Sequence, residues 1–340
     1  MNIGMITLWN ESGLGYLSNH IADICEKNNH KTFIWAHGGE IKKTGEWAHS
    51  NIRENRTLFS NIKPSDILNW AKENEIDVIL FMETPLFDIV KFIRKEKFNT
   101  RLFWFPMIES VKETDFDDAF LFDKIIFFVK AGFDSFHRRG LTNIYYLRYR
   151  PSIPSGTQKL DKEYMFSHIG GRLGVKGRKS TVEVIKAMGM LGEKSIVSVQ
   201  VGKDKLNTEI PECVDINFGS MDRNDILNII QKSNYAVQPS KVEGLGLSII
   251  EPLCMGVPVL TIDIPPMNEY IHHGYNGFLI TPRRTVKYGA ILNWADINEI
   301  DIFNGMKEIM KSDNKIMSKN CMKFLEKSAF ETDLTKIMEM

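Results

Sequence analysis

The chain has 340 residues, of which 43% are hydrophobic, and 43 Lys plus Arg balance 43 Asp plus Glu. That length exceeds one ordinary core and suits two domains of roughly 150 residues each. The zero net charge excludes a global field that would gather nucleic acid or an anionic bilayer, and the apolar content excludes a disordered chain.

The predicted elements alternate between short apolar runs and helical patterns, the signature of parallel-sheet βαβ units. In the first half, strands are expected at residues 2–9, 32–36, 77–82, 101–105, 124–129 and 143–147. Residues 16–27 put Leu17, Ile21, Ile24 and Cys25 on one helical face, residues 64–73 open on Pro-Ser as a helix start does, and residues 86–95 form a third helix. Lys91, Arg94 and Lys95 on that third helix, with Lys97 just after it, read as a solvated face. Residues 1–150 hold 20 basic and 20 acidic side chains, so this half is not basic.

Arg150-Pro151-Ser152-Ile153-Pro154-Ser155-Gly156 is rich in turn formers and lacks periodicity, so it is expected to link domain 1–150 to domain 151–340. Strands then follow at 164–169, 195–201, 214–218, 235–238 and 259–262. Helices are expected at 179–190, 223–232 and around 248–255, and the pattern after Pro282 reads as mainly helical. Two doubly wound α/β domains facing across a cleft follow, with ligands beyond the carboxyl ends of the strands.

Residues 239–280 carry the densest chemistry. A strand ends in a loop holding Glu243-Gly244-Leu245-Gly246, a helix starts near Leu247-Ser248, and a second carboxylate, Glu251, lies eight positions after the first. Two glycines let the backbone approach a ligand and turn amide N–H groups toward it at a helix N-terminus, which suits phosphate or sugar hydroxyls. Carboxylates would repel a bare phosphate; beside a sugar they accept hydrogen bonds from hydroxyls. A second glycine-rich element, Ile169-Gly170-Gly171-Arg172-Leu173-Gly174-Val175-Lys176-Gly177-Arg178-Lys179, opens the second domain, and a third, Trp9-Asn10-Glu11-Ser12-Gly13-Leu14-Gly15-Tyr16, follows the first strand. The last lacks the third glycine of a dinucleotide fingerprint.

The 239–280 stretch resembles the GT-B glycosyltransferases with a Glu-x7-Glu signature, the glycosyltransferase family 4 group. Pro239-Ser240, Glu243-Gly244, Gly246-Leu247, Glu251, Gly256, Pro258-Val259, Glu269, Gly274 and Asn276-Gly277 stand where that pattern puts them. The resemblance implies a GT-B fold and a retaining, hexosyltransferase-like enzyme using a UDP-, GDP- or other nucleotide-sugar donor. It implies Glu243 on the transferred sugar and Glu251 on the ribose. Arg172 and Lys176 would hold the diphosphate with the amides of Gly244, Leu245, Gly246 and Leu247, and Gly13 and Gly15 would lie in a loop near donor and acceptor. Pro252 departs from the pattern; it removes a backbone donor and predicts a kinked or later-starting helix.

The family's N-domain histidine is missing. Glu109, in Phe105-Pro106-Met107-Ile108-Glu109, is the nearest polar candidate for that catalytic place, and His37 and Glu83 also follow strands on the acceptor side. Arg178 and Lys179 read as solvated. Asp115-Phe116-Asp117 reads as a solvated helix start, so no metal and no cofactor beyond the donor are expected. His272-His273 reads as a capping or surface pair.

The four cysteines show no ligand spacing and read as thiols in a reducing compartment. With no apolar run of about 20 residues and no signal-peptide pattern at Met1-Asn2-Ile3-Gly4-Met5, a cytoplasmic protein is expected, with peripheral membrane contact left open. The acceptor (surface polysaccharide, lipid-linked glycan or small molecule) is not legible. A GT-B nucleotide-sugar epimerase, a non-catalytic GT-B partner subunit and a DNA-base glycosyltransferase are the alternatives, the last disfavoured by the neutral first domain.

Overall fold

The computed structural model of the protein describes residues 1–55, 61–83, 85–153, 160–171, 177–326 and 328–340. They belong to two compact units. The first is Met1–Tyr149 with Gly289–Ile291 and Ala329–Met340; the second is Arg150–Tyr288 with Leu292–Ser328.

The first unit contains β1 (Asn2–Thr7), α1 (Gly13–Lys27), β2 (Lys31–His37), β3 (Ile52–Asn55), α2 (Pro64–Glu73), β4 (Val78–Met82) and α3 (Phe87–Lys95). It continues with β5 (Arg101–Phe105), α4 (Asp115–Asp118), β6 (Lys124–Phe127), α5 (Lys130–His137) and β7 (Ile144–Tyr146). Its seven-stranded sheet has the order β3-β2-β1-β4-β5-β6-β7, and every pair in it is parallel. Every residue of β4 and β6 is buried, as expected of parallel strands covered on both faces. The order reverses between β1 and β4, which makes that pair the topological switch point.

The second unit contains β8 (Tyr164–Gly171), α6 (Thr181–Leu191), β9 (Ser195–Val199), β10 (Val214–Phe218), α7 (Arg223–Gln231), β11 (Ser233–Val237), α8 (Leu247–Cys254), β12 (Val259–Ile262), α9 (Met267–Tyr270) and β13 (Gly277–Ile280). After these come β14 (Arg284–Tyr288), β15 (Leu292–Asp296), α10 (Glu299–Met310) and α11 (Asn314–Glu326). Six strands form a parallel sheet of order β10-β9-β8-β11-β12-β13, so here the switch point is β8/β11.

Two expectations are corrected. The helices expected after Pro282 are preceded by a hairpin that was not expected: β14 and β15 pair antiparallel, with Val286 opposite Trp294 and Tyr288 opposite Leu292. Thr285, Val286, Tyr288 and Trp294 favour a pleated surface, and Gly289 at φ 60 supplies the left-handed residue of a three-residue turn. The second correction concerns α12 (Phe330–Glu339), which packs within the first unit rather than with the rest of 151–340. Its Phe330 ring meets Tyr149 at 5.0 Å and Phe128 at 5.9 Å, and Lys124 Nζ donates to Ile337 O at 2.5 Å.

Candidate functional site

In the second unit, the loops after β8 and β11 are neighbours because those two strands flank the switch point. Two hydrogen bonds fasten them together: Lys241 N–H donates to Arg178 O at 2.7 Å, and the Ser180 hydroxyl donates to Pro239 O at 2.9 Å. Ser180, a non-glycine residue at φ 53, turns the chain into α6 with its own N–H on Gly177 O at 3.0 Å. The preceding Lys179 is thereby aimed at the β11 loop.

Glu243 stands in that loop, 4% exposed. Lys179 Nζ donates to its carboxylate and also to Ser248 Oγ at 3.3 Å, and Arg178 Nη2 lies 3.9 Å from it. Burial alone would push the Glu243 carboxyl up; Lys179 and Arg178 outweigh it and hold the group below its ordinary value. The expectation that Arg178 and Lys179 are solvated is therefore corrected, since both face a buried carboxylate that cannot stay charged alone.

The β11 loop turns into α8 through Gly246, whose φ of 81 is the left-handed conformation that favours glycine. Residues 242–246 are buried, while Leu247 and Ser248 are half-buried at the helix start. The first α8 amides bonded within the helix are those of Ile249 and Ile250, both onto Gly246 O. The N–H groups before them supply the positive end of the helix. Pro252 lies inside α8 and does not delay it: the helix begins at Leu247, so Glu251 is mid-helix rather than near the cap.

Glu251 is also paired. Arg223, the first residue of α7, donates to its Oε1 from Nη2 at 3.0 Å and from Nε at 3.3 Å, and Nη2 also reaches Ser152 O at 3.2 Å. Burial still leaves the Glu251 carboxyl above its ordinary value, Arg223 notwithstanding. Nothing in the sequence singles out Arg223; only the fold brings α7 beside α8. Arg172 and Lys176 lie outside the described residues.

In the first unit, Gly13 and Gly15 belong to the first turn of α1 rather than to a loop. Ser12 caps this helix through Gly15 N–H at 3.1 Å. A Cβ on Gly15 would lie 1.9 Å from Asn10 O, so packing of the turn requires this glycine. His37 ends β2, 6% exposed, and burial lowers its imidazole to about 4.

Glu83 follows β4 and Glu109 follows β5. The structure joins their loops: Glu83 N–H donates to Phe105 O at 2.9 Å, and Ser110 Oγ donates to Glu83 Oε1 at 3.2 Å. Burial raises the Glu83 carboxyl. Glu109 is half-buried and does not cap α4, whose N-cap is Thr114.

Asp115 starts α4 and Asp117 is exposed, as expected, but Asp115 itself is not solvated: it is 5% exposed and accepts from Lys112 N–H at 2.8 Å. His273 accepts from Leu279 N–H at 3.2 Å, and the His272 ring packs on Phe324 at 5.1 Å, so both serve the turn and its packing. Among the described residues, no group of three His, Cys, Asp or Glu is placed to hold a metal. No described helix is long and apolar enough to cross a membrane.

Residues 167–295 match the family model described as glycosyl transferases group 1. Over 103 residues, 29% of this chain, the sequence is 35% identical to the UDP-Gal:alpha-D-GlcNAc-diphosphoundecaprenol alpha-1,3-galactosyltransferase of Escherichia coli, and the match spans 22% of that enzyme's length. The fold matches sucrose-phosphate synthase from Thermosynechococcus elongatus with a TM-score of 0.73 at 12% identity, covering 100% of this chain and 98% of that one. It also matches Anabaena HepE in complex with UDP and glucose, with a TM-score of 0.70 at 16% identity and coverage of 100% and 98%. The two Rossmann-like units thus have the GT-B fold.

Proposed function

We propose that the chain is a retaining glycosyltransferase of the Glu-x7-Glu type, moving a sugar from a nucleotide-sugar donor to a hydroxyl acceptor in the cytoplasm. One observation carries the reading. Where the glycosyl transferases group 1 model matches, the switch point of the second unit gathers Lys179, Arg178, Glu243 and the N-terminus of α8.

The chemistry of that group fits a leaving nucleoside diphosphate. As the glycosidic bond breaks, negative charge builds on the diphosphate oxygens and the sugar turns oxocarbenium-like. Lys179 and Arg178, joined by Arg172 and Lys176 from the resemblance, stabilise the oxygens together with the open amides at Leu247 and Ser248. Glu243 accepts hydrogen bonds from the sugar, and Glu251, already oriented by Arg223, receives the ribose hydroxyls. Side-chain cations do the work a metal ion does elsewhere, and turnover in EDTA tests that point.

The galactosyltransferase relative makes UDP-galactose the first donor to try. Thermal denaturation with UDP, GDP, ADP and TDP, followed by turnover of the matching sugar nucleotides, tests the reading. A ligand at 100 times its Kd stabilises by about 2.7 kcal/mol. Absence of any shift with all four nucleotides refutes the reading. Free sugar as the sole product of a fast reaction favours the epimerase alternative instead.

A further inference from the structure

Glu251 and everything that touches it belong to the second unit. On α8, Leu247, Ser248, Glu251 and Cys254 recur at intervals of three and four and are half-buried, whereas Ile249, Ile250 and Leu253 are buried in the core. Glu251 therefore stands one turn along the same face from the open amides at Leu247 and Ser248, about 5 Å farther from the helix start. A diphosphate seated on those amides brings the ribose of the same nucleotide toward Glu251.

One oxygen of that carboxylate is already taken. Arg223 donates to Oε1 from Nη2 at 3.0 Å and from Nε at 3.3 Å, and two N–H groups fill the lone-pair sites of a single carboxylate oxygen. The guanidinium is itself held, because Nη2 also donates to Ser152 O at 3.2 Å. Asp222 caps α7 through Asn224 N–H at 2.8 Å and so fixes the turn from which Arg223 projects. Both partners are largely out of water, 17% exposed for Arg223 and 12% for Glu251. None of the hydrogen bonds among the described residues reaches the other oxygen, Oε2.

We propose that Arg223 is a positioning residue that sets ribose specificity: by filling Oε1 it leaves Oε2 as the acceptor for both hydroxyls of the ribose diol. This rests on the glycosyltransferase reading above. An oxygen with two open lone-pair sites matches two adjacent hydroxyls, each donating one O–H, and a charged acceptor strengthens both bonds. Arg223 also opposes the burial that raises the Glu251 carboxyl, which favours the ionised, acceptor-only form. A nucleotide without these hydroxyls leaves a buried oxygen short of partners, so ribose is selected over deoxyribose.

Calorimetry on the full chain tests this with UDP, GDP and ADP, each beside its analogues lacking one ribose hydroxyl or both. In the wild type, removing either hydroxyl is expected to weaken binding by a similar factor, since both donate to one oxygen. Arg223→Met is expected to weaken the ribonucleotide at least tenfold, while the analogue lacking both hydroxyls stays within twofold of its wild-type affinity. Arg223→Lys keeps a cation beside the buried carboxylate but loses the fork, and it is expected to show a smaller loss of the same kind. It decides the question if the Met variant does not fold. A merely structural role lowers the affinity for the ribonucleotide and for the analogue by the same factor. That result, wild-type affinity in both variants, or a wild type that binds the analogues as tightly as their parents overturns the assignment to Arg223. A wild-type chain that binds none of these nucleotides, TDP included, overturns the glycosyltransferase reading itself, and Arg223 falls with it.

Discussion

Replacing Lys179 with Met tests the heart of the second unit. Glu243 is 4% exposed, and Lys179 is its closest cation, with Arg178 at 3.9 Å left to compensate. Removing one partner of a buried ion pair costs about 3–5 kcal/mol, because an unpaired charge stays behind. With Arg178 in place the lower end applies, about 3 kcal/mol, or about 6–12 °C in Tm for a unit of this size. The pH dependence then identifies the cause. In the wild type the Glu243 carboxyl is held down, so its stabilisation is present above the ordinary value of 4.5 and is lost as pH falls. In Lys179→Met, burial is less opposed and the folded-state pKa rises above that value. The deficit is therefore full at pH 7 and fades as pH falls through the raised pKa. Adding Glu243→Gln to the variant should recover most of the loss. Melting curves from pH 7 to pH 4 measure all of this. A deficit under about 1 kcal/mol, or one that does not shrink in acid, refutes the claim that Lys179 offsets a buried charge.

Two further outcomes are expected. His37 is lowered from 6.5 to about 4 by burial, so the unfolded chain takes the proton first. Stability should be full above pH 6.5 and fall by about 3 kcal/mol on the way to pH 4, with the slope reduced in His37→Gln when followed by chemical denaturation. Gly15→Ala places a Cβ 1.9 Å from Asn10 O and should cost about 3 kcal/mol, read as a lowered melting temperature.

The parallel α/β architecture was legible because buried parallel strands are near-continuous apolar runs. The strands at 101–105, 214–218 and 259–262 have the expected boundaries. β3 escaped because Ile52-Arg53-Glu54-Asn55 is an edge strand with one apolar residue. Within the site, Glu243, Gly246 and the start of α8 could be placed from spacing alone. The partner of Glu243 could not: a Lys near a glycine-rich turn looks the same whether it faces water or a buried carboxylate, and the fastening of Arg178 to Lys241 decides. Arg223 was harder still, because its pairing with Glu251 depends on how α7 packs beside α8.

The place of α12 in the first unit has a consequence for how the protein is made. A ribosome releases residues 150–328 before Phe330, so the first unit waits for its last helix while the second is already folding. During that interval the partners of Phe330, among them Tyr149, Phe128 and His20, remain uncovered. Lys124, buried in the finished unit, lacks during that interval the Ile337 carbonyl that later accepts its hydrogen bond. Cutting the chain at Tyr149 would make that interval permanent. A fragment of residues 1–149 would therefore keep its seven strands and lose the helix that shields them.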